Sequence, residues 1–346
     1  WSSDVCSSDL CQLRRYDLII VMSRLGQGGH VEQSRDLRRA APDTPVYLLL
    51  NDNVEVGATD RRRAELLRHY DQIFVWNGNP DIFVAMIQFM ENRANVENDT
   101  SVGLVRVILL VEDSIRYYSR YLPILFGEIM EQTMRLANER VGDGMARTLT
   151  MRVRPKVLLA TSYEEAIELA EHYHEYLLCL ITDRKFPKQG VLDSQAGIKL
   201  IRAVRERNPH LPMLLQSSDP VKADWAVANQ AAFLNKNSTT LGAELSRFFY
   251  ENLGFGDFVF RDANGQEIDR AADMRELNQR LKTVPAESLV YHGCRDHFSG
   301  WIMARGEVQA ARVLARIRVT PRSDAEELRN QLINVGRYVE IGRAHV

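Results

Sequence analysis

The chain has 346 residues, 45% of them hydrophobic and 26% charged, with a net charge of −2. This balance excludes a disordered chain and gives no electrostatic reason for a nucleic-acid partner. No apolar run approaches the ~20 residues of a membrane helix, so two or three cytoplasmic domains with full cores are expected.

The chain ends read as translated sequencing adapter. Back-translating Asp4 to Asp9, "DVCSSD", and taking the reverse complement gives DNA that encodes "IGRAHV", residues 341–346. Residues 1–10 and 341–346 are therefore set aside as processing scars, and the natural protein is expected to be longer at both ends. Of four cysteines, Cys6 falls in the adapter, while Cys11, Cys179 and Cys294 show no metal or disulfide spacing. That usage fits a reducing compartment.

Segment 16–91 carries three short apolar runs, "YDLIIVM", "TPVYLLLN" and "QIFVWN". "GQGGH" (26–30) is glycine-rich but lacks both GxGxxG and the Walker lysine, and is read as a turn. The basic stretch "DRRRAELLRH" (60–69) is read as the solvated face of a helix. "NRANVENDTSVG" (92–103) is polar and is read as a linker.

Between 105 and 253 apolar runs alternate with helical periodicity. Strands are predicted near 105–111, 156–160, 177–182, 212–216 and 231–235, and helices over 114–140, 163–174, 195–207, 221–229 and 239–253. The helix 114–140 should kink at Pro123. Strands this short and this continuously apolar are those covered by helices on both faces. Five βα units predict an α/β fold with a doubly wound parallel sheet. The 16–91 runs match the last three strands of this pattern, with Met22 at the place of Asp183, Leu50 at that of Ser217 and Asn77 at that of Lys236.

After 253, "FVFRDANGQEIDRA" predicts a hairpin around Asn264-Gly265, followed by helices near 273–283, 286–294 and 297–316. This segment is expected to be a small, mostly helical α+β module. His292, Cys294 and His297 in "YHGCRDH" invite a metal reading, but a structural or surface role is favoured.

In a doubly wound sheet, ligands bind beyond the carboxyl ends of the strands, where strand order reverses. "VRVILLVEDS" ends in Glu112 and Asp113, and "LLCLITDRKFP" delivers Asp183. Neighbouring strands would bring the three acids together, with Ser217, Ser218 and Lys236 at the same edge. Aspartate can serve as a phosphoryl-accepting nucleophile. Mg²⁺ suits such a site, because it takes one or two protein carboxylates and otherwise keeps waters and phosphate oxygens. Lys236 would be a point charge for a phosphate oxygen and Ser217 a hydroxyl donor. Each also has a plainer reading: acids at a helix N-terminus, a loop aspartate paired with Arg184 or Lys185, a capping serine.

"LLVEDS", "LITDRKFP", "PMLLQSS" and "FLNK" resemble the receiver domain of two-component response regulators. The resemblance implies a flavodoxin-like, five-stranded sheet over 105–253, with Asp183 as phosphoacceptor and Mg²⁺ held by Glu112, Asp113, Asp183 and the backbone carbonyl of Lys185. It also implies Ser217 and Phe233 as switch residues and Lys236 as the conserved cation. Asn237 departs from the family, which has proline after the lysine, and the Asp183–Gly197 loop is longer than usual. By the same resemblance, 11–95 is a truncated degenerate receiver and 254–340 an accessory module. The layout resembles the regulatory front of bacterial phosphoenolpyruvate synthase or pyruvate phosphate dikinase-like proteins. Partners would be a histidine kinase or phosphotransfer protein, a second copy of the chain, and an output domain beyond residue 340, with no DNA and no membrane. The rival readings are a phosphorylation-independent interaction scaffold and an aspartate-nucleophile phosphatase. The latter would want a second acid where Lys185 stands.

Overall fold

The computed structural model describes residues 15–23, 30–51, 65–138, 144–218 and 223–344. Gly26–Gly29 of the glycine-rich turn, Asp60–Ala64 of the basic stretch, Cys6 and Cys11 lie outside these residues. Two compact units are formed, Trp1–Ala94 with Glu112–Phe126, and Asn95–Val111 with Gly127–Val346.

In the first unit, β1 (Ile19–Met22), β2 (Val46–Leu50) and β3 (Gln72–Val75) form a parallel sheet in that order. α1 (His30–Ala40) connects β1 to β2, and α2 (Asp81–Gly103) follows β3. Tyr47, Phe74 and Phe89 pack as tilted and edge-on rings at 5.6–6.1 Å, with Tyr118 edge-on to Phe74 at 5.9 Å. Tyr118 lies on α3 (Ile115–Asn138), which also covers the open edge of β3. The Tyr118 hydroxyl donates to Ile73 O and the Val75 N–H donates to Ser119 Oγ at 3.1 Å. An edge strand's backbone groups are thereby satisfied by side chains.

In the second unit, β4 (Val107–Val111), β5 (Lys156–Ala160), β6 (Leu177–Asp183), β9 (Met213–Ser217) and β10 (Ala232–Asn235) form a parallel sheet of order β5-β4-β6-β9-β10. β4, β5 and β9 are buried at every residue, which explains their unbroken apolar runs. Helices α4 (Gly144–Arg152), α5 (Tyr163–His172), α6 (Ala196–Arg207), α7 (Ala223–Ala228) and α8 (Leu241–Asn252) link or follow the strands. Ser162 caps α5, accepting from the Glu165 N–H at 3.2 Å, while Glu165 reaches back to the Thr161 N–H at 2.7 Å. This reciprocal cap fixes the start of the helix. α6 turns Ala196, Leu200, Ile201 and Val204 inward, at the spacing of one helix face.

The three-stranded sheet repeats the order, direction and part of the register of β6-β9-β10. Met22 pairs with Leu49 as Asp183 pairs with Gln216, and Ser23 N donates to Leu49 O as Arg184 N donates to Gln216 O. The third strand corrects the sequence reading by one residue. Trp76 N donates to Leu50 O as Lys236 N donates to Ser217 O. Trp76, not Asn77, therefore occupies the place of Lys236.

Three further expectations are corrected. Residues 92–103 are helical, the last half of the 23-residue α2. The long loop after Asp183 is an antiparallel hairpin of β7 (Phe186–Lys188) and β8 (Val191–Asp193), turning at Gln189 and Gly190 with φ of +52° and +75°. The single helix expected over 297–316 is α11 (His297–Ala304) and α12 (Val308–Ala315), separated by Gly306 at φ +73°.

The segment after 253 comprises the hairpin β11 (Phe258–Arg261) and β12 (Glu267–Ala271), then α9 (Met274–Arg280), α10 (Ala286–Gly293), α11, α12 and α13 (Ala325–Ala344). Its core gathers Phe258, Phe260, Phe298 and Trp301. Arg305 is buried inside it, stacked on Trp301 at 3.3 Å and donating to Gly254 O and Gly256 O at 3.0 and 2.9 Å. No helix among the described residues is long and apolar enough to cross a membrane.

Candidate functional site

Strand order along the chain reverses beside β4, so the carboxyl ends of β4 and β6 flank the point where connections depart in opposite directions. Val111, the last residue of β4, pairs with Thr182 of β6. The residues that continue from this pair are Glu112 and Asp113 on one strand and Asp183 on the other. Carboxylate oxygens of the three lie within 4.8 Å of one another. Glu112 is fully buried and one of its oxygens accepts from the Ser114 N–H at 3.2 Å.

Across β6, Asp183 Oδ2 lies 2.9 Å from Lys236 Nζ, with the two side chains 13% and 5% exposed. Oδ1 accepts from the Arg184 N–H at 2.6 Å. One oxygen of Asp183 is thus held by backbone and the other by a buried side-chain ammonium. The β9 strand holds this geometry from both sides, since Gln216 O accepts from Arg184 N and Ser217 O from Lys236 N. Ser217 is buried at the end of β9. Phe233 pairs with Leu215 and packs, partly buried, on the sheet's core. The Lys185 side chain is exposed in the turn before β7.

Three carboxylates forced this close repel one another unless a cation offsets them. Their oxygen-only donor set fits a hard divalent ion rather than a thiophilic one, so the cluster could hold a metal ion. Among the described residues it is the one group of three or more such side chains with this geometry.

Two residues outside the sequence reading belong to the same edge. Gln216, opposite Asp183 in the ladder, is fully buried, and neither side-chain polar atom has a partner among the described residues. Buried amides are rarely left so; a lone polar residue in the run "PMLLQ" was the available signal. Gly197, at the start of α6, donates its N–H to Arg184 O at 3.0 Å. A Cβ there would meet Asp183 O at 2.0 Å.

The "YHGCRDH" cluster forms a hydrogen-bonded histidine pair. His292 Nε2 accepts from the Arg261 N–H at 2.9 Å, and its Nδ1 lies 2.9 Å from His297 Nδ1. A neutral His292 must then carry its proton on Nδ1 and donate to His297, whose own proton sits on Nε2. Burial, reinforced by Arg295, His210 and Arg261, pushes His297 down from 6.5 to about 4. The neutral form is favoured in the fold, so the unfolded chain binds more protons between those values. Stability is complete above pH 6.5 and is lost as pH falls toward 4. The expected loss is at most on the order of 3 kcal/mol, read as a falling urea midpoint that flattens in His297→Gln. An equal pH slope in both proteins would refute this.

No family model, curated protein or solved structure matches the chain.

Proposed function

We propose that residues 105–253 form a phosphoryl-accepting receiver in which Asp183 is the nucleophile. What supports the reading most is the joint placement of Asp183 against the buried Lys236 ammonium at 2.9 Å and within 4.8 Å of the Glu112 and Asp113 carboxylates. A nucleophilic carboxylate, a fixed cation and an acidic metal pocket are the parts such transfer needs. The sheet order β5-β4-β6-β9-β10 is that of the flavodoxin-like doubly wound class. The first sheet, with Met22 and Trp76 at the places of Asp183 and Lys236, is then a degenerate copy that keeps the frame without the chemistry.

An Asp183 oxygen attacks the phosphorus of the donor. The bond from phosphorus to the donor atom breaks, the leaving group takes its electron pair, and an acyl phosphate remains. Mg²⁺, held by Glu112, Asp113, Asp183 and the Lys185 carbonyl, would neutralise the phosphoryl oxygens. Lys236 holds one of those oxygens, and Ser217 donates its hydroxyl to the same group. Movement of Ser217 toward it and of Phe233 into the space behind would carry the signal to a partner surface. The donor would be a histidine kinase or phosphotransfer protein in the cytoplasm, and the reader an output domain.

Incubation with acetyl phosphate and Mg²⁺ tests this. The expected result is one hydroxylamine-labile phosphoryl group on the peptide containing Asp183. A chain that stays unlabelled at saturating donor and Mg²⁺ overturns the proposal. Steady turnover of phosphomonoesters would instead indicate the phosphatase class, and partner binding indifferent to phosphoryl analogues the scaffold.

A further inference from the structure

A second candidate site lies within the second unit and shares no lining residue with the acidic cluster. A cavity of about 800 Å³ is lined by residues that include Arg205, Arg261, Arg295, His210, His297 and Tyr291. The chemistry of this wall is one-sided. Arg205 donates to the carbonyls of Pro209, Leu211 and Gln230, and its Nε is buried without a partner among the described residues. Arg295 stacks on Tyr291 at 3.7 Å and donates to Tyr291 O. Arg261 donates to Gly265 O. None of the three forms an ion pair within 4.0 Å among the described residues, although Arg261 acts on Glu267 from farther away.

Two of the four acids on the same wall are spent: Asp296 pairs with Arg106 at 3.1 Å and Asp257 with Arg270 at 3.4 Å. Glu175 and Glu251 are left, both exposed. The histidines register the resulting field. After burial, the charges acting on His210 are Arg295 and Arg205, and those acting on His297 are Arg295, His210 and Arg261, all of which lower them. The Nε2–H of His297, left by the relay through His292, has no protein acceptor among the described residues.

We propose that this cavity binds a compact polyanion, a small molecule carrying two or more phosphoryl or carboxylate groups. Planar guanidinium forks match the oxygens of either group. Partial enclosure strengthens each contact, since the local dielectric is below that of water. The neutral His297 supplies a hydrogen-bond donor at ordinary pH, and a bound anion would favour its protonation. Binding should therefore tighten as pH falls from neutrality. The walls come from the β6, α6 and β9 region and from the segment after 253, so occupancy would tie the two together within this unit.

The full chain in EDTA at low ionic strength, titrated calorimetrically with inorganic pyrophosphate and separately with citrate, tests the proposal. Saturable binding of pyrophosphate alone assigns the phosphoryl class, and of citrate alone the polycarboxylate class. Arg295→Gln and Arg261→Gln should each weaken binding by about tenfold, the scale of one charge-assisted hydrogen bond. Asp183→Asn should leave it unchanged, which separates this site from the receiver chemistry. Cys294 lines the cavity and is partly exposed, so its alkylation in the wild-type chain should slow several-fold when ligand is present. That readout needs no variant. Absence of saturable binding by both anions, or binding untouched by both arginine substitutions with Cys294 unprotected, overturns the proposal.

Discussion

Asp183→Asn is expected to abolish labelling of the chain by acetyl phosphate, lowering it by at least ~100-fold, because an amide is no nucleophile toward phosphorus at neutral pH. The variant should still fold. Its ion pair with Lys236 at 2.9 Å is offset by two repulsions from Glu112 and Asp113 within 4.8 Å, and the Arg184 N–H can still donate to the amide oxygen. Coulomb energies scale inversely with distance, so these terms are of similar size in one medium. In EDTA the melting temperature should hardly move. With Mg²⁺ the wild-type chain should gain stability by linkage and the variant should gain less. Lys236→Met makes the complementary case: the repulsions remain, the attraction is gone, and the expected outcome is a destabilised apo chain that Mg²⁺ rescues. Labelling of Asp183→Asn at the wild-type rate would remove Asp183 from the chemistry altogether.

The sheet of the second unit was largely legible, because strands covered on both faces leave an apolar run that few other structures produce. "KVLLA" and "VILLV" contain no residue that prefers solvent except Lys156. The structure buries that lysine and pairs it with Asp99 at 2.8 Å. Acids at the strand ends were legible for the same reason: once β4 and β6 are neighbours, register alone brings Glu112, Asp113 and Asp183 to one edge. The half of α2 over 92–103 was not legible. It buries Asn92, Val96 and Thr100 at helical spacing among exposed residues such as Asn95, Glu97 and Asn98, and two of those three are polar. The β7–β8 hairpin escaped because three-residue strands carry no period and Val191 and Leu192 face solvent. Trp76 escaped because matching residue types across "QIFVWN" and "AAFLNK" cannot see a one-residue register difference that only hydrogen bonds reveal. The arginine-lined cavity draws on residues from 106 to 301, a convergence that spacing does not encode.

Gly197→Ala is expected to be among the most disruptive single-methyl changes in the protein. The added carbon would stand 2.0 Å from Asp183 O and 3.0 Å from Arg184 Cα, and these are backbone atoms of a strand end, unable to rotate away as a side chain would. Relief requires α6 to lift from β6. That breaks the Gly197 N–H to Arg184 O bond and loosens the buried Ala196, Leu200 and Ile201 behind it. Overpacking of this kind costs on the order of 3 kcal/mol, against a total of roughly 5–15 kcal/mol for a domain. The same displacement moves Asp183 relative to Lys236, so labelling should slow even in the folded fraction. Gly127→Ala is the control. It sits exposed inside α3 with nothing within 4 Å of its added carbon, so it should stabilise by about 1 kcal/mol through helix propensity alone and leave labelling unchanged. Urea midpoints and labelling rates measured on both variants decide the matter. If Gly197→Ala matches Gly127→Ala in both, α6 is not what holds Asp183 in place, and the rigidity of the phosphoacceptor must come from Lys236 and β9 alone.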